Sequence, residues 1–586
     1  MAERTLGWIQ NPSNTKTLRN IVSIFNPDSQ FTGFLLNTRI PFIRSLGKLH
    51  DEEEWDTYIE RLKSGLRFPY NMLKGKGAGG GSRADAPCSG IIQAAIEAQK
   101  YLNFSTDPPS ERIKKPYSDD WTADGFLRWA ISLGFIDYDA ETDTCSVTDL
   151  GIRFSEATET DEFNNILGEA YLHYPPACRV LNLLLEGNQL TKFEIGRHLG
   201  FTTEAGFTSF PQNLFVQAIV ENPEIKNTIK SNYEGSSDKY ARMICGWLCE
   251  IGWVVKSGKK VTEIAGGREY STFLDAFSIT AIGRKEFKRS IGASSVRQIP
   301  KIVYLEMLST KSEDRNYLRR RRAEILSYIQ GHFRTDDEII SHLKSKGFKE
   351  DGSAIAEDLR GFVNIGLNIS KSSKGTRLND KIICLRIPQQ KSVDPKSEVL
   401  QIKERVRPYL KNLDMDYLKL IDLAYDGSAN LKFEITTIDL LTNELQFNGK
   451  HLGGSRKPDG IIHYNNRGII IDNKAYSKGY TLPRAQVDEM ARYIRENQNR
   501  NQEINPNKWW SEFPDSTQTF YFAFISSFFT GMYKDRLTEI SKEYHLNGAT
   551  IDVENLLYIA EGLKSGKLSY EHFFELFNND RIVYTC

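Results

Sequence analysis

The stretch PDGIIHYNNRGIIIDNKAY, Pro458 to Tyr476, holds two aspartates and a lysine at spacings that could do chemistry. Side chains alternate faces along a strand, so Asp472 and Lys474 point one way and Asn473 the other. Asp459 belongs to the preceding strand, just after Pro458, which is tolerated at a strand start. A short hairpin around Tyr464 to Arg467 folds the two strands together, and the Asp459 and Asp472 carboxylates then converge beside Lys474. Paired carboxylates suit Mg2+, which takes few protein oxygens and keeps waters and substrate phosphate oxygens as its other ligands. The Asn473 backbone carbonyl is a further candidate ligand. The lysine can orient or deprotonate a water, or neutralise charge on a pentacovalent phosphate. The chemistry this suggests is metal-dependent hydrolysis of a phosphodiester. A surface ion pair at a strand end would be spelled with the same D-x-K.

The elements around this stretch read as an α/β domain. QQKSVDPKSE, 389–398, is polar, carries a proline and lacks periodicity, so it reads as a linker. After it the pattern gives a helix over 399–425, a helix over 433–445, two strands of which the second covers 468–471, a helix over 483–497, a strand over 519–526 and further helices. That order builds a central sheet.

The first two-thirds carry a faint repeat. FLRWAISLGFIDYDAETDTCSVTDLG (126–151), MICGWLCEIGWVV with FSITAIG (243–283), and LRGFVNIGLNISKSSKGTRLNDKIICLRIP (359–388) each place an amphipathic helix before a glycine stop and then β-prone residues. Gly134, Gly252 and Gly366 suit helix C-terminal caps. The polar runs SGKK at Ser257 and SSKGT at Ser372 read as hairpin tips. Helix, stop and two-stranded wing is the sequence form of a winged helix-turn-helix, and three of them suggest a DNA-reading array. Three small α+β packing units without a ligand would look the same.

In EGSSDKYARMICGWL, Ser236 or Ser237 can cap a helix. Tyr240, Met243, Ile244, Trp247 and Leu248 form its apolar stripe. Lys239 and Arg242 lie opposite, near the N-terminus, where a recognition helix meets the major groove. Both suit guanine edges, and Glu234 can accept a cytosine amino proton. A merely solvated basic face is the alternative.

Composition limits the class. With 586 residues, 40% hydrophobic and 26% charged, the chain reads as globular, in about two to four domains. No apolar run reaches the ~18 residues of a membrane span. The N-terminus lacks a signal-peptide core, which suggests the cytoplasm. The seven cysteines and nine histidines are scattered, without zinc or redox spacing. Equal counts of 76 basic and 76 acidic residues exclude a chain coated in positive charge. They still allow a basic groove balanced by acidic outer faces.

KHLGGSRKPDG, IIIDNKAYSKGY, QVDEMARYIRENQNRN and INPNKWW resemble the cleavage domain of the FokI-type type IIS restriction endonucleases, which carry a PD-(D/E)xK nuclease. GWIQNP, RADAPC, WTADGFLRWA, YPPA, LTKFEIGRHLGF, EGSSDKYARMI and VYLEML resemble that family's recognition region in the same order, so the likeness covers essentially the whole chain. It implies a multidomain protein with a mostly α array of three winged-helix-like subdomains at 1–163, 164–295 and 296–388. The 389–398 linker and an α/β nuclease domain at 399–586 follow. It further implies an asymmetric duplex site, Mg2+-dependent cutting at a fixed distance outside it, and transient pairing with a second copy through the nuclease. A companion DNA methyltransferase in a bacterial host is also implied. By motif match Asp459, Asp472 and Lys474 carry catalysis. Asn11, Arg83, Gln99, Trp121, Glu234, Lys239 and Arg242 contact DNA. Ser231 stands where the family has asparagine, which leaves one adenine contact open; the remaining set points to GGATG. The loop between Asp459 and Asp472 is shorter than in that family.

Asp488 and Arg492 match the family's dimerising helix, where each would be used twice by symmetry. As a plain intrahelical pair they would contribute about 0.3 kcal/mol. Glu434, on the helix before the site, reads as a solvated or structural residue, although some nucleases of this superfamily place a first-helix carboxylate near the metal. Two other functions compete. A winged-helix DNA-binding regulator with an inactive nuclease domain would not need intact Asp459, Asp472 and Lys474. A structure-selective repair nuclease would not need the base-reading set.

Overall fold

Three times the chain stops a helix on a glycine and returns as a hairpin. Helix Asp120–Ser132 is followed by Gly134 (φ +76°), helix α1 (Ser236–Glu250) by Gly252 (φ +72°), and helix Gly352–Ile365 by Gly366 (φ +103°). Glycine adopts these left-handed angles without a Cβ clash. The hairpins pair Ile136–Asp139 with Thr144–Val147, Val254–Ala265 with Arg268–Ile279, and Ile369–Ser372 with Gly375–Leu378, all antiparallel. The SGKK run is a correction: Ser257 to Lys260 sit inside a long strand, opposite Ala276 to Phe273. Cross-strand pairing there overrides the turn preference of Ser-Gly. The first two modules share one core, in which Trp129 and Trp247 stack at 4.8 Å.

The computed structural model describes residues 6–65, 67–77, 86–97, 116–265, 267–291, 298–388 and 396–585. Among them no helix is long and apolar enough to cross a membrane. Most of the expected linker, 389–395, lies outside the described residues, as do Arg83 and Gln99.

Beyond the linker a six-stranded sheet runs β1 (Asn448–His451), β2 (Gly460–Tyr464), β3 (Arg467–Lys474), β4 (Thr519–Ser526), β5 (Gly548–Asp552) and β6 (Asp580–Arg581), in that spatial order. The first three are antiparallel and β3 to β6 are parallel. β3 is longer than the apolar run suggested and carries Asp472 and Lys474 within it. Its Ile469–Ile471 run is aliphatic because both faces are covered. Ile469 and Ile471 join the core beneath helix α2 (Asn430–Asp439), and Ile470 joins Phe522, Phe524 and Met490 of helix α3 (Arg484–Asn499). β2 and β3 meet through a two-residue turn in which Asn465 takes φ +52°.

The expected helix over 399–425 is broken. It becomes Glu398–Val406, a 3-10 turn Arg407–Tyr409, another at Met415–Leu418, and Lys419–Ala424. Pro408 supplies no backbone N–H to continue the first helix. The two halves of the chain dock closely. α2 sends Ile435 into an apolar cluster with Phe193, Phe210, Leu214 and Phe215. Around it Lys450 pairs with Glu221 at 2.7 Å, Arg407 with Glu357 at 2.8 Å and Arg360 with Asp416 at 2.7 Å.

Candidate active site and nucleic-acid interface

Asp459 lies one residue before β2, at the position that extends the Gly460–Ile471 pairing toward Asp472. Its Oδ2 accepts the Asn473 backbone N–H at 2.6 Å, which fixes the carboxylate across the two strands. Lys474 Nζ stands 2.8 Å from Asp472 Oδ1 and 3.9 Å from Asp459 Oδ2. The three side chains expected to converge therefore do so. Asp472 is 4% exposed, and its Oδ2 is buried with no hydrogen-bond partner. A buried carboxylate oxygen without a donor, next to a second carboxylate, fits a hard divalent cation.

The electrostatics agree. Burial, with the Asp472 and Glu434 charges adding, pushes Asp459 well above the usual carboxylate range; Lys474 and the Asn473 N–H oppose it. Burial pushes Asp472 up to about 6 against the pull of Lys474, with Glu489 and Glu434 adding to the rise. For Lys474 burial acts downward, but the two aspartates outweigh it and hold the ammonium charged. Asn473 points to the opposite face, 1% exposed, with neither side-chain polar atom bonded.

Two acidic groups neighbour the site: Glu434, for which a place near the metal is the less favoured reading of the sequence, and Glu489, which carries no signal there. Glu434 is not a solvated helix residue: its side chain is 17% exposed, sits 3.5 Å from His451 Nε2, and its charge acts on Asp459, Asp472 and Lys474. Glu489 of α3 acts on Asp472 and is held by the Tyr493 hydroxyl at 2.8 Å. His451, 3% exposed on its side chain, also meets Tyr233 Oη at 3.2 Å across the seam between the two halves.

The plain intrahelical Asp488–Arg492 pair, the alternative to an interface role, is not formed within α3. Asp488 pairs with Arg484 at 3.0 Å, and Arg492 with Glu489 at 3.1 Å. Arg484 stands one turn before Asp488, and Glu489 is both nearer Arg492 and already aligned by Tyr493.

At the start of α1 the helix is capped by Gly235, and neither Ser236 nor Ser237 is the cap. Asp238 accepts the Gly235 N–H at 2.9 Å, and both serines are buried in the first turn. The apolar stripe from Tyr240 to Leu248 is buried as its spacing indicated. Glu234 accepts from Arg242 at 2.8 Å and from Lys192 at 2.6 Å. Burial works against its charge, but these two cations hold Glu234 below the usual range. Lys192 had no signal beyond a basic residue in LTKFE; only folding places it on Glu234. Ser231 is exposed near the end of helix Lys226–Asn232. Asn11 accepts the Trp121 indole N–H at 3.0 Å in the amide orientation that satisfies both neighbours, and Trp121 is half exposed.

A helix-hairpin array followed by two strand-end carboxylates and a lysine on a mixed sheet is the architecture of a PD-(D/E)xK nuclease carried behind DNA-reading modules. Family profiles described as FokI, recognition domain, subdomain 1 and subdomain 2, the FokI D3 domain and the FokI cleavage domain match residues 4–157, 159–295, 308–374 and 396–584. The type II restriction enzyme FokI of Planomicrobium okeanokoites is 39% identical over 591 residues, spanning 99% of both chains. The type II restriction enzyme StsI of Streptococcus sanguinis is 30% identical over 576 residues, 94% of this chain and 91% of that one. The solved structure of restriction endonuclease FokI bound to DNA superposes with a TM-score of 0.90 at 38% identity, covering 99% of this chain and 100% of that one. The chain belongs to the FokI family and is a type II site-specific endonuclease with a divalent-metal-dependent type of nuclease domain.

Proposed function

We propose that the enzyme binds an asymmetric duplex DNA site, GGATG, and makes a Mg2+-dependent double-strand cut at a fixed distance outside it. The observation that carries the reading is the Asp459–Asp472–Lys474 cluster with its unpartnered, buried Asp472 Oδ2. The relatives, both type II restriction enzymes, and the DNA complex of FokI support the substrate class. In this reading the modules at 1–163, 164–295 and 296–388 find the site and the domain at 399–586 cuts.

Asp459 and Asp472, with the Asn473 carbonyl, would hold Mg2+, which when bound draws charge from the scissile phosphate and acidifies an attacking water. Lys474, charged and tethered to Asp472, orients that water or offsets charge gathering on the phosphate oxygens. The Asn473 N–H keeps Asp459 aimed across the strands while its buried side chain stays out of the reaction. Glu234, Lys239 and Arg242 read base edges, with Asn11, Trp121, Arg83, Gln99 and Ser231 completing the contact set. Asp488 and Arg492, both at the surface of α3, are free to exchange their local partners for those of a second copy. A companion methyltransferase would protect the host's own sites.

Digestion of a plasmid library with Mg2+ and sequencing of the new ends tests this directly. Ends at a constant offset from GGATG are expected. A constant offset from another motif would overturn the site assignment, with Ser231 the first residue to examine. Tight specific binding without cutting would overturn the catalytic reading.

A further inference from the structure

The seam between the reading modules and the nuclease gathers three lysines with no acid of their own. Lys432 stands one turn before Ile435 on α2, on the same helix face. Ile435 is buried in one apolar cluster with Phe210, whose backbone N–H donates to the carboxylate of Asp238, the residue before Lys239 on α1. Lys432 is thereby carried toward the start of α1. Lys311 arrives from a third direction. Its backbone nitrogen lies against Gly206, 3.6 Å from where a Cβ there would stand. The carbonyl of nearby Thr208 accepts the Ser237 N–H at the first turn of α1.

Among the described residues none of the three ammonium groups forms an ion pair. The two acids whose charge reaches Lys432 are engaged elsewhere. Asp426 accepts from Ser428, and Asp238 is held by Ser209, Phe210 and Gly235. Burial, then the Lys311 and Lys239 charges, push the Lys432 ammonium down to about 8. Like charges gathered at a half-buried seam are unfavourable unless an anion joins them.

We propose that Lys239, Lys311 and Lys432 form a binding site for one backbone phosphate of the DNA, so that a lysine of the nuclease domain takes part in holding the recognised duplex. This rests on the reading that α1 faces DNA. Lys239 can then turn either to a base edge or to the phosphate beside it, while Lys311 and Lys432 contact only the backbone. The site reads charge and not sequence.

The test is equilibrium binding of the full chain, without divalent metal, to a duplex carrying the mapped site across a range of KCl concentrations. Lys432→Gln should bind about tenfold more weakly near 0.1 M salt, and its log K against log salt should be shallower by about 0.9, the signature of one lost phosphate contact. Lys311→Gln, at an exposed position where a fold defect is not expected, should move both values in the same direction. Lys432→Arg should restore them. Unchanged affinity and slope in Lys432→Gln, while Arg242→Gln still weakens site preference, would overturn the seam site and leave the DNA reading standing. A wild-type protein with no duplex preference would remove the reading itself and the seam site with it. A melting-temperature rise in potassium phosphate over KCl at equal ionic strength, dependent on Lys432 and unaccompanied by a change in DNA slope, would assign the site to free phosphate instead.

Discussion

Asp472→Asn separates the chemistry of the site from its cost to the fold. In the metal-free protein at pH 7.5, Asp472 is ionised although burial and the Glu489 and Glu434 charges push it from 3.8 up to about 6. At about 1.4 kcal/mol per tenfold, that difference is worth about 3 kcal/mol against the folded state. Asparagine keeps the shape and removes the charge. The value of about 6 already contains the pull of Lys474 at 2.8 Å, so we expect a net gain of about 1–3 kcal/mol. For a domain of this size that raises the melting temperature by roughly 2–4 °C per kcal/mol. The sign with pH follows from the raised value. The folded aspartate binds more protons than the unfolded one between 3.8 and about 6, so the wild type recovers stability as pH falls through that window. The advantage of asparagine is full above about 6 and vanishes toward 3.8. The assay is thermal melting in EDTA at several pH values, with cleavage and site binding measured on the same preparations. Cutting should be abolished and site binding kept. A variant that melts at or below the wild type at pH 7.5, or whose advantage persists unchanged near pH 4, would refute the argument that buried charge sets the cost.

Three further outcomes follow from the same geometry. Arg242→Gln should lower discrimination at one base pair by about 1–3 kcal/mol, read as the ratio of binding to cognate and singly mismatched duplexes, because a bidentate donor is lost; equal loss on both duplexes would mean Arg242 touches only backbone. Asp488→Arg and Arg492→Asp should each slow double-strand cutting without weakening site binding, and an equal mixture should recover it; recovery would fail if the pairs Arg484–Asp488 and Glu489–Arg492 persist in the cutting complex. Ile435→Asp sets a carboxylate among Phe193, Phe210 and Leu214 at the seam, which should weaken docking by about 2–4 kcal/mol and speed limited proteolysis between 389 and 398; an unaltered digestion rate would count against a tightly docked nuclease.

Much of the site was open to reading along the chain. Asp472 and Lys474 share a face because a strand repeats every two residues, and Asp459 reaches them because a two-residue turn pairs β2 with β3. The glycine stops at 134, 252 and 366, and the buried stripe of α1, likewise depend on neighbours a few residues away. Wherever a local rule had a competitor, it was less dependable. SGKK became strand because a partner strand was long enough to pair it, and the cap of α1 passed from serine to glycine because the Asp238 carboxylate took the Gly235 N–H.

What no stretch of sequence could decide are the partnerships between distant segments. Lys192 meets Glu234, Tyr233 meets His451, and Lys311, Lys239 and Lys432 share one seam, because packed cores bring those segments together. Glu434 and Glu489 both act on Asp472 for the same reason: α2 and α3 cover opposite faces of β3, and burial lets their charge reach it. Periodicity records the direction a side chain points from its own backbone. The identity of the group it meets is set by tertiary packing, and so are the desolvation and charge that tune it.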